Sequence, residues 1–409
     1  MAIVFPFKAI RPQPNFVAAV AAPPYDVLSS EEARKAAAHD QYSFLHVTKS
    51  EIDMPADLSI YDPSVYEKAK ANLLRFIEQG VLFKEQSDCY YIYELVMDGR
   101  SQTGLVCCSS VDDYENDIIK KHEFTRPEKE KDRINHISIT GAQTGNVFLA
   151  YRNVEKIDAI IAGIKSANKP VYDFTAVDGI THRVWIVEEK TVVGEITSIF
   201  QKDVPCTYIA DGHHRAASAA KVRKAAAVGV NTEDDRFLTT LFPAKELKIM
   251  PYNRVIKDLN GLSKEEFISA LQDDFTISTA DAPVEPMELH EFGMYVGGQW
   301  YHLTSLEGTY TNDPIGVLDV TILSKNVFEK LLDIHDQRTD KRIDFVGGIR
   351  GLKELERRVE SGEMQLAFSF YPVSIQQLFD ISDSGEVMPP KSTWFEPKLR
   401  DGLLTHMIR

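Results

Sequence analysis

The chain has 409 residues, 46 basic and 61 acidic side chains, a formal net charge of −15 and 44% apolar residues. That length exceeds one ordinary core and predicts two or three domains. The negative balance excludes non-specific binding to nucleic acid or to an anionic membrane, since both draw on positive charge. Any phosphate site must therefore be a local positive pocket. Four cysteines, Cys89, Cys107, Cys108 and Cys206, show no Cys-x-x-Cys spacing and read as reduced thiols of a cytoplasmic protein. Two prolines near the start, and no run of about 18 apolar residues anywhere, predict neither a signal peptide nor a membrane span.

In chain order, "APPYDV" reads as an extended loop, followed by a helix capped by Ser29 or Ser30 with Glu31 and Glu32 in its first turn. Residues 61–82 read as an amphipathic helix, with Val65, Ala69, Leu73 and Phe76 at helical spacing and Gly80 as its stop. "CYYIYELVMDGRSQTGLVCCSSV" reads as two strands around an Asp-Gly turn. Residues 112–136 are dense in charge and poor in large apolar side chains. Strand 182–187, a short helix at "EITSIF", the strand–turn–helix "CTYIADGHHRAASAAKVRKAAAV" and the strand "FLTTLFPA" follow. Next come a hairpin on Gly297-Gly298, a helix over 317–334, a glycine-rich turn "FVGGIRG", a helix at "LKELERRVESGE", the strand "MQLAFSFYPVS" and a helix ending at Gly385. The class is α/β or α+β, divided as 1–110, 111–305 and 306–409.

"ADGHHR" carries the chemistry. Asp211 ends a strand, the usual place for a ligand in an open α/β sheet. Gly212 allows close backbone approach. His213 and His214 open a helix whose free N–H groups and dipole favour an anion. Arg215 adds a planar donor fork suited to phosphate. Adjacent histidines diverge by about 100° on a helix, so they do not share one metal. Arg126, Lys129 and Arg133, spaced by three and four, are expected to share one helical face near His122 and Glu123. In "PPKSTWF", proline rigidity presents Lys391, Ser392 and Thr393 as phosphate donors, with Trp394 beside them. "PPYDV" offers a tyrosine and an acid at a domain junction.

These motifs resemble the ParB/sulfiredoxin-like superfamily, and most closely the free serine kinases, whose phosphate loop also reads Asp-Gly-His-His-Arg. Sulfiredoxins need a cysteine where this chain has His213, which excludes their chemistry. ParB proteins carry a Glu- and Arg-rich version and a DNA-binding helical domain that this chain lacks. "KKHEF" looks like the kinases' Pro-His-Glu stretch, and the resemblance implies Glu123 as the base on the serine hydroxyl. "GEVMPPKSTWF" resembles their C-terminal segment, although Trp394-Phe395 stand where the kinases have Arg-His. The whole chain is also similar to a bacterial domain family of unknown function.

The resemblance implies a ParB/sulfiredoxin-like core with an added N-terminal α/β domain. It further implies a phosphotransferase acting on L-serine or O-phosphoserine with ADP, ATP or pyrophosphate as donor. Asp211 would hold Mg²⁺ or orient the donor, His213, His214, Arg215 and Gly212 would bind the phosphoryl group, and His122, Arg126, Arg133 and Trp394 would line the substrate pocket. The expected partners are small molecules, with a homodimer the assembly considered, and neither nucleic acid nor membrane. Two alternatives stand beside this reading: a phosphoserine phosphatase with His214 as nucleophile, and a nucleotide-sensing ParB-like binding protein.

Overall fold

The architecture grows from local signals that the sequence states openly. Asp98 and Gly99 both adopt positive φ, 51° and 76°, the tight turn that matches the twist of a hairpin. It joins the strands Tyr90–Met97 and Arg100–Ser110. Ser29 and Glu32 form a reciprocal capping box on the helix Ser30–Ala37. The helix Pro63–Glu78 buries Val65, Ala69, Leu73 and Phe76.

The computed structural model describes residues 1–226 and 232–409. The last two positions of the helix expected over 213–228 lie outside the described residues. The chain divides into two compact units, Met1–Leu247 with Pro397–Arg409, and Lys248–Glu396. These limits fall elsewhere than the expected boundaries at 110 and 305, for a topological reason. The Arg100–Ser110 strand pairs on one side with Tyr90–Met97 and on the other with Arg236–Pro243, so a cut at 110 would split one sheet.

In the first unit a nine-stranded mixed sheet runs in the order Ile119–Lys120, Thr207–Asp211, Val147–Tyr151, Arg236–Pro243, Arg100–Ser110, Tyr90–Met97, Thr181–Val187 and Tyr172–Thr175, with Val4–Phe5 also on Arg100–Ser110. Thr207–Asp211 is parallel to Ile119–Lys120 and antiparallel to Val147–Tyr151. One core gathers Tyr90, Ile92, Leu105, Leu149, Phe200, Ile209 and Phe237. A second, built on Val20, Phe44, Leu73 and Phe76, belongs to the N-terminal helices. The final segment returns to this unit: Thr405 bridges Ile10, Asp401 bridges Ala22, and His406–Met407 pairs with Ala142–Gln143.

The second unit holds a six-stranded antiparallel sheet ordered Phe275–Ala280, Gln299–Ser305, Glu291–Val296, Leu366–Phe370, Tyr252–Ile256 and Ile343–Gly347. Gly297 and Gly298 turn its hairpin as expected, and the helix Leu352–Glu360 packs through Leu355 against Val255 and Trp300. The helix expected over 317–334 is α-helical only at Asp319–Leu323 and continues as a π-helix at Ser324–Glu329. There the Ser324 hydroxyl donates to the Val320 carbonyl at 2.6 Å, a side-chain competitor for the helical ladder. The protein is thus a mixed α/β chain, and no described helix is long and apolar enough to cross a membrane. All four cysteines are free thiols, and burial pushes Cys107 up to about 12.

Candidate functional site

The Asp-Gly-His-His-Arg segment forms the expected strand–turn–helix. The register of Thr207–Asp211 shifts between Ile209 and Asp211 opposite Val147–Tyr151, a bulge that re-aims the end of the strand. Gly212 takes φ 98° and ψ 28° and precedes the helix His213–Ala225. A Cβ at Gly212 would lie 3.1 Å from Arg215 Nε and 3.4 Å from Val147 Cα. Glycine is required both for its dihedrals and for the close approach. Gly212→Ala is therefore expected to lower the unfolding free energy by about 1–2 kcal/mol, read as a lower urea midpoint with unchanged cooperativity.

The helix then turns Arg215 inward. The residue is 9% exposed, its Nη1 donates to the Asn146 carbonyl, and its Nη2 reaches Asp211 Oδ1 at 3.3 Å and Asp26 Oδ2 at 3.5 Å. Burial opposes the guanidinium charge, but Asp26 and Asp211 hold it and move its pKa upward. Asp211 is shared: its Oδ2 lies 3.0 Å from Lys398 Nζ. Asp401 lies deeper, where burial pushes its carboxyl up to about 7 against the pull of Arg215. The predicted phosphate fork is thus already engaged by carboxylates, and two cations face Asp211 and Asp26.

The two histidines part as expected. His213 is buried and meets His122 edge-on, with ring centroids 4.5 Å apart. The His122 backbone N–H points at His213 Nε2 at 3.5 Å. Burial holds His122 at about 4 and His213 well below the ordinary range, so both rings are neutral at pH 7. His214 is half-buried, and its Nε2 accepts the Arg126 backbone N–H at 2.9 Å. These contacts clamp residues 121–126 onto the helix start. Glu123, half-buried, sits between the two contact points of that loop.

The shared face expected for Arg126, Lys129 and Arg133 does not form. The helix begins at Pro127, so Arg126 is its exposed cap. Lys129 is exposed as well, whereas Arg133 is buried, bonded to Asp132 at 2.7 Å with its guanidinium 3.9 Å from the centre of the Tyr25 ring. Glu130 is buried too; burial pushes its carboxyl up, but Lys221 and Thr125 bring it below its usual value. Tyr25, Arg133, His136, Gln143, Thr144 and Arg215 border a cavity of about 390 Å³, its open mouth included.

Lys391, Ser392, Thr393 and Trp394 belong to the second unit. Lys391 is exposed with φ 58°, and the Ser392 hydroxyl donates to the Pro389 carbonyl at 2.7 Å. Thr393 is half-buried; the Trp394 ring packs on Tyr252 at 5.0 Å and its Nε1 donates to Glu396. The glycine-rich turn at 345–351 serves this packing, since a Cβ at Gly347 would lie 2.9 Å from the Trp394 ring.

Sequence reasoning passed over Lys398 and Asp401 and gave Asp26 only a general role. No local pattern marks the first two, because the returning terminal segment delivers them. The donor set does not build a Mg²⁺ cage either. Asp211 is committed to Arg215 and Lys398, and no group of three or more metal-type ligands exists among the described residues.

A mixed α/β sheet, one of whose strands runs into a glycine-turned helix start with carboxylates and cations around it, frames the candidate site. The chain belongs to the family described as "Protein of unknown function (DUF1015)", whose model matches residues 4–321. No curated protein matches it. Among solved structures it is similar to a free serine kinase mutant in complex with AMP, at 14% identity and a TM-score of 0.37, covering 73% of this chain and 92% of that one. It is also similar to a conserved hypothetical protein from Pyrococcus furiosus, at 17% identity and 0.36, covering 73% and 93%. A third is SbnI with C-terminal truncation from Staphylococcus aureus, at 11% and 0.38, covering 73% and 86%.

Proposed function

We propose that this protein transfers a phosphoryl group between a small phosphate donor and the hydroxyl of a free amino acid, with L-serine and O-phosphoserine as the pair. One observation carries the reading: the loop bearing Glu123 is fastened at His122 and Arg126 to the start of a 13-residue helix. A carboxylate and an anion-attracting helix end thus share one place.

Phosphoryl transfer needs alignment, charge stabilisation and a destination for the hydroxyl proton. Glu123 takes that proton as the serine oxygen bonds to phosphorus. The donor's bridging P–O bond breaks, and its electron pair leaves with AMP, ADP or phosphate, according to the donor. The helix amides and His214 face the transferring group, Asp211 orients it, and Arg215 with Lys398 fixes Asp211. The phosphohistidine alternative loses ground because the His214 Nε2 lone pair already receives the Arg126 N–H.

Purified protein is expected to convert serine to phosphoserine with ADP, ATP or pyrophosphate, or to run the reverse reaction. Glu123→Gln should lower kcat by about 10²–10⁴ while substrate protection against unfolding persists. The absence of turnover in both directions with all three donors removes the proposal.

A further inference from the structure

Arg254 sits on the Tyr252–Ile256 strand of the second unit with 1% of its surface exposed. Among the described residues the other buried arginines have acids: Arg11 has Glu85, Arg133 has Asp132, Arg215 has Asp26 and Asp211, Arg358 has Asp344 and Glu363, and Arg400 has Asp178. Arg254 meets neutral acceptors: Gln337 Oε1 at 3.3 Å from Nε, the Tyr252 carbonyl at Nη1, and the Pro390 carbonyl 3.1 Å from Nη2. Phe345 and Phe370 flank the guanidinium at 4.7 and 5.3 Å. Burying an arginine without a counter-charge costs several kcal/mol that neutral partners only partly return. Burial pulls its pKa down from the ordinary arginine value, to about 9.

A second cation stands nearby. Lys391 is the residue after Pro390, is held at a left-handed φ of 58°, and places its Nζ 5.8 Å from the centre of the Tyr252 ring. Arg254 thus bonds the carbonyl, and Lys391 overlies the ring, of the same tyrosine. No ion pair engages either cation among the described residues, although acidic side chains outnumber basic ones by 61 to 46.

We propose that Arg254 and Lys391 form a binding site for a small phosphate-class oxyanion, which takes the place of the Pro390 carbonyl on Arg254 Nη2 and is closed on the solvent side by Lys391. The guanidinium fork suits an oxyanion, and the exchange replaces a neutral acceptor by a charged one. The site lies wholly in the second unit and stands independently of the phosphoryl-transfer reading.

The test titrates inorganic phosphate into the full-length protein at constant ionic strength. Binding is followed by equilibrium dialysis and by the fluorescence of Trp394, whose ring packs on Tyr252. Saturable binding is expected, weakened about tenfold or more in Lys391→Ala, an exposed position where folding is safe. Arg254→Lys, which keeps the charge but loses the fork, should weaken it comparably, while His214→Ala, which alters the first-unit phosphoryl site, should leave it unchanged. No saturable binding, or binding of equal strength in Lys391→Ala, overturns the proposal. So does binding that His214→Ala removes, because the phosphate would then sit in the first unit.

Discussion

Replacing Arg215 by methionine is expected to destabilise the protein by about 3–5 kcal/mol, one of the largest effects of any single substitution here. The methylene stem remains, but the charge shared among Asp26, Asp211 and the more distant Asp401 disappears, and the Asn146 carbonyl loses its donor. What makes this costly is the acids left behind rather than the lost ion pairs. Asp401 is fully enclosed and already stands at about 7 with Arg215 present. Without that cation its charged form is harder still to hold. The companion Arg215→Met with Asp401→Asn should recover a substantial part of the loss, because it removes one stranded carboxylate. Urea denaturation of the two variants and of Asp401→Asn alone makes the measurement. Equal midpoints for the single and double variants would show that Asp401 does not feel Arg215.

The second large effect is acid sensitivity. Burial holds His122 and His136 at about 4 and His182 at about 3, with Arg400 lowering His182 further; His213 lies well below its usual range. Unfolded histidines titrate near 6.5. Between about 6.5 and 4 the unfolded chain therefore binds protons that the folded chain refuses, so stability is present above the unfolded value and is lost as pH falls. A displacement from 6.5 to about 4 corresponds to ~3 kcal/mol for each fully enclosed ring. Asp401 and Asp319, both pushed up to about 7 by burial, act with the opposite sign. Their contribution is complete below the unfolded carboxylate value and is lost as pH rises towards 7. Four histidines outweigh two acids below 6.5, and the acids alone act just above it. The urea midpoint should thus peak near pH 6.5, fall steeply by pH 4.5 and decline slightly by pH 7.5. His136→Gln, which keeps a polar group near the Val47 carbonyl, should flatten the acidic limb, and Asp401→Asn should remove part of the decline above pH 6.5. A midpoint constant from pH 6.5 to 4.5 would mean these rings do not stay neutral in the folded state.

Much of the site's frame was legible because it is short-range. Asp98-Gly99 and Gly297-Gly298 specify their turns through positive φ, Ser29 with Glu32 caps a helix by spacing alone, and the apolar run into Asp211-Gly212 followed by alanines reads as strand, turn and helix. The long-range pairings were not legible. Arg126 and Arg133 look equivalent on a helical wheel, yet Pro127 places one outside the helix and Tyr25 covers the other.

By itself, the sequence determined the mixed α/β class, the separate elements and the glycine-turned helix start, because dihedral preference and apolar period act over a few residues. Tertiary structure alone decided that Arg215 points inward, that Asp26 reaches it across 189 positions, and that Lys398 closes on Asp211 across 187. It also decided that Arg254 is sealed without an acid. Those outcomes depend on which strands pair and where the last segment returns, and a charge buried by that pairing takes whatever partner the fold brings.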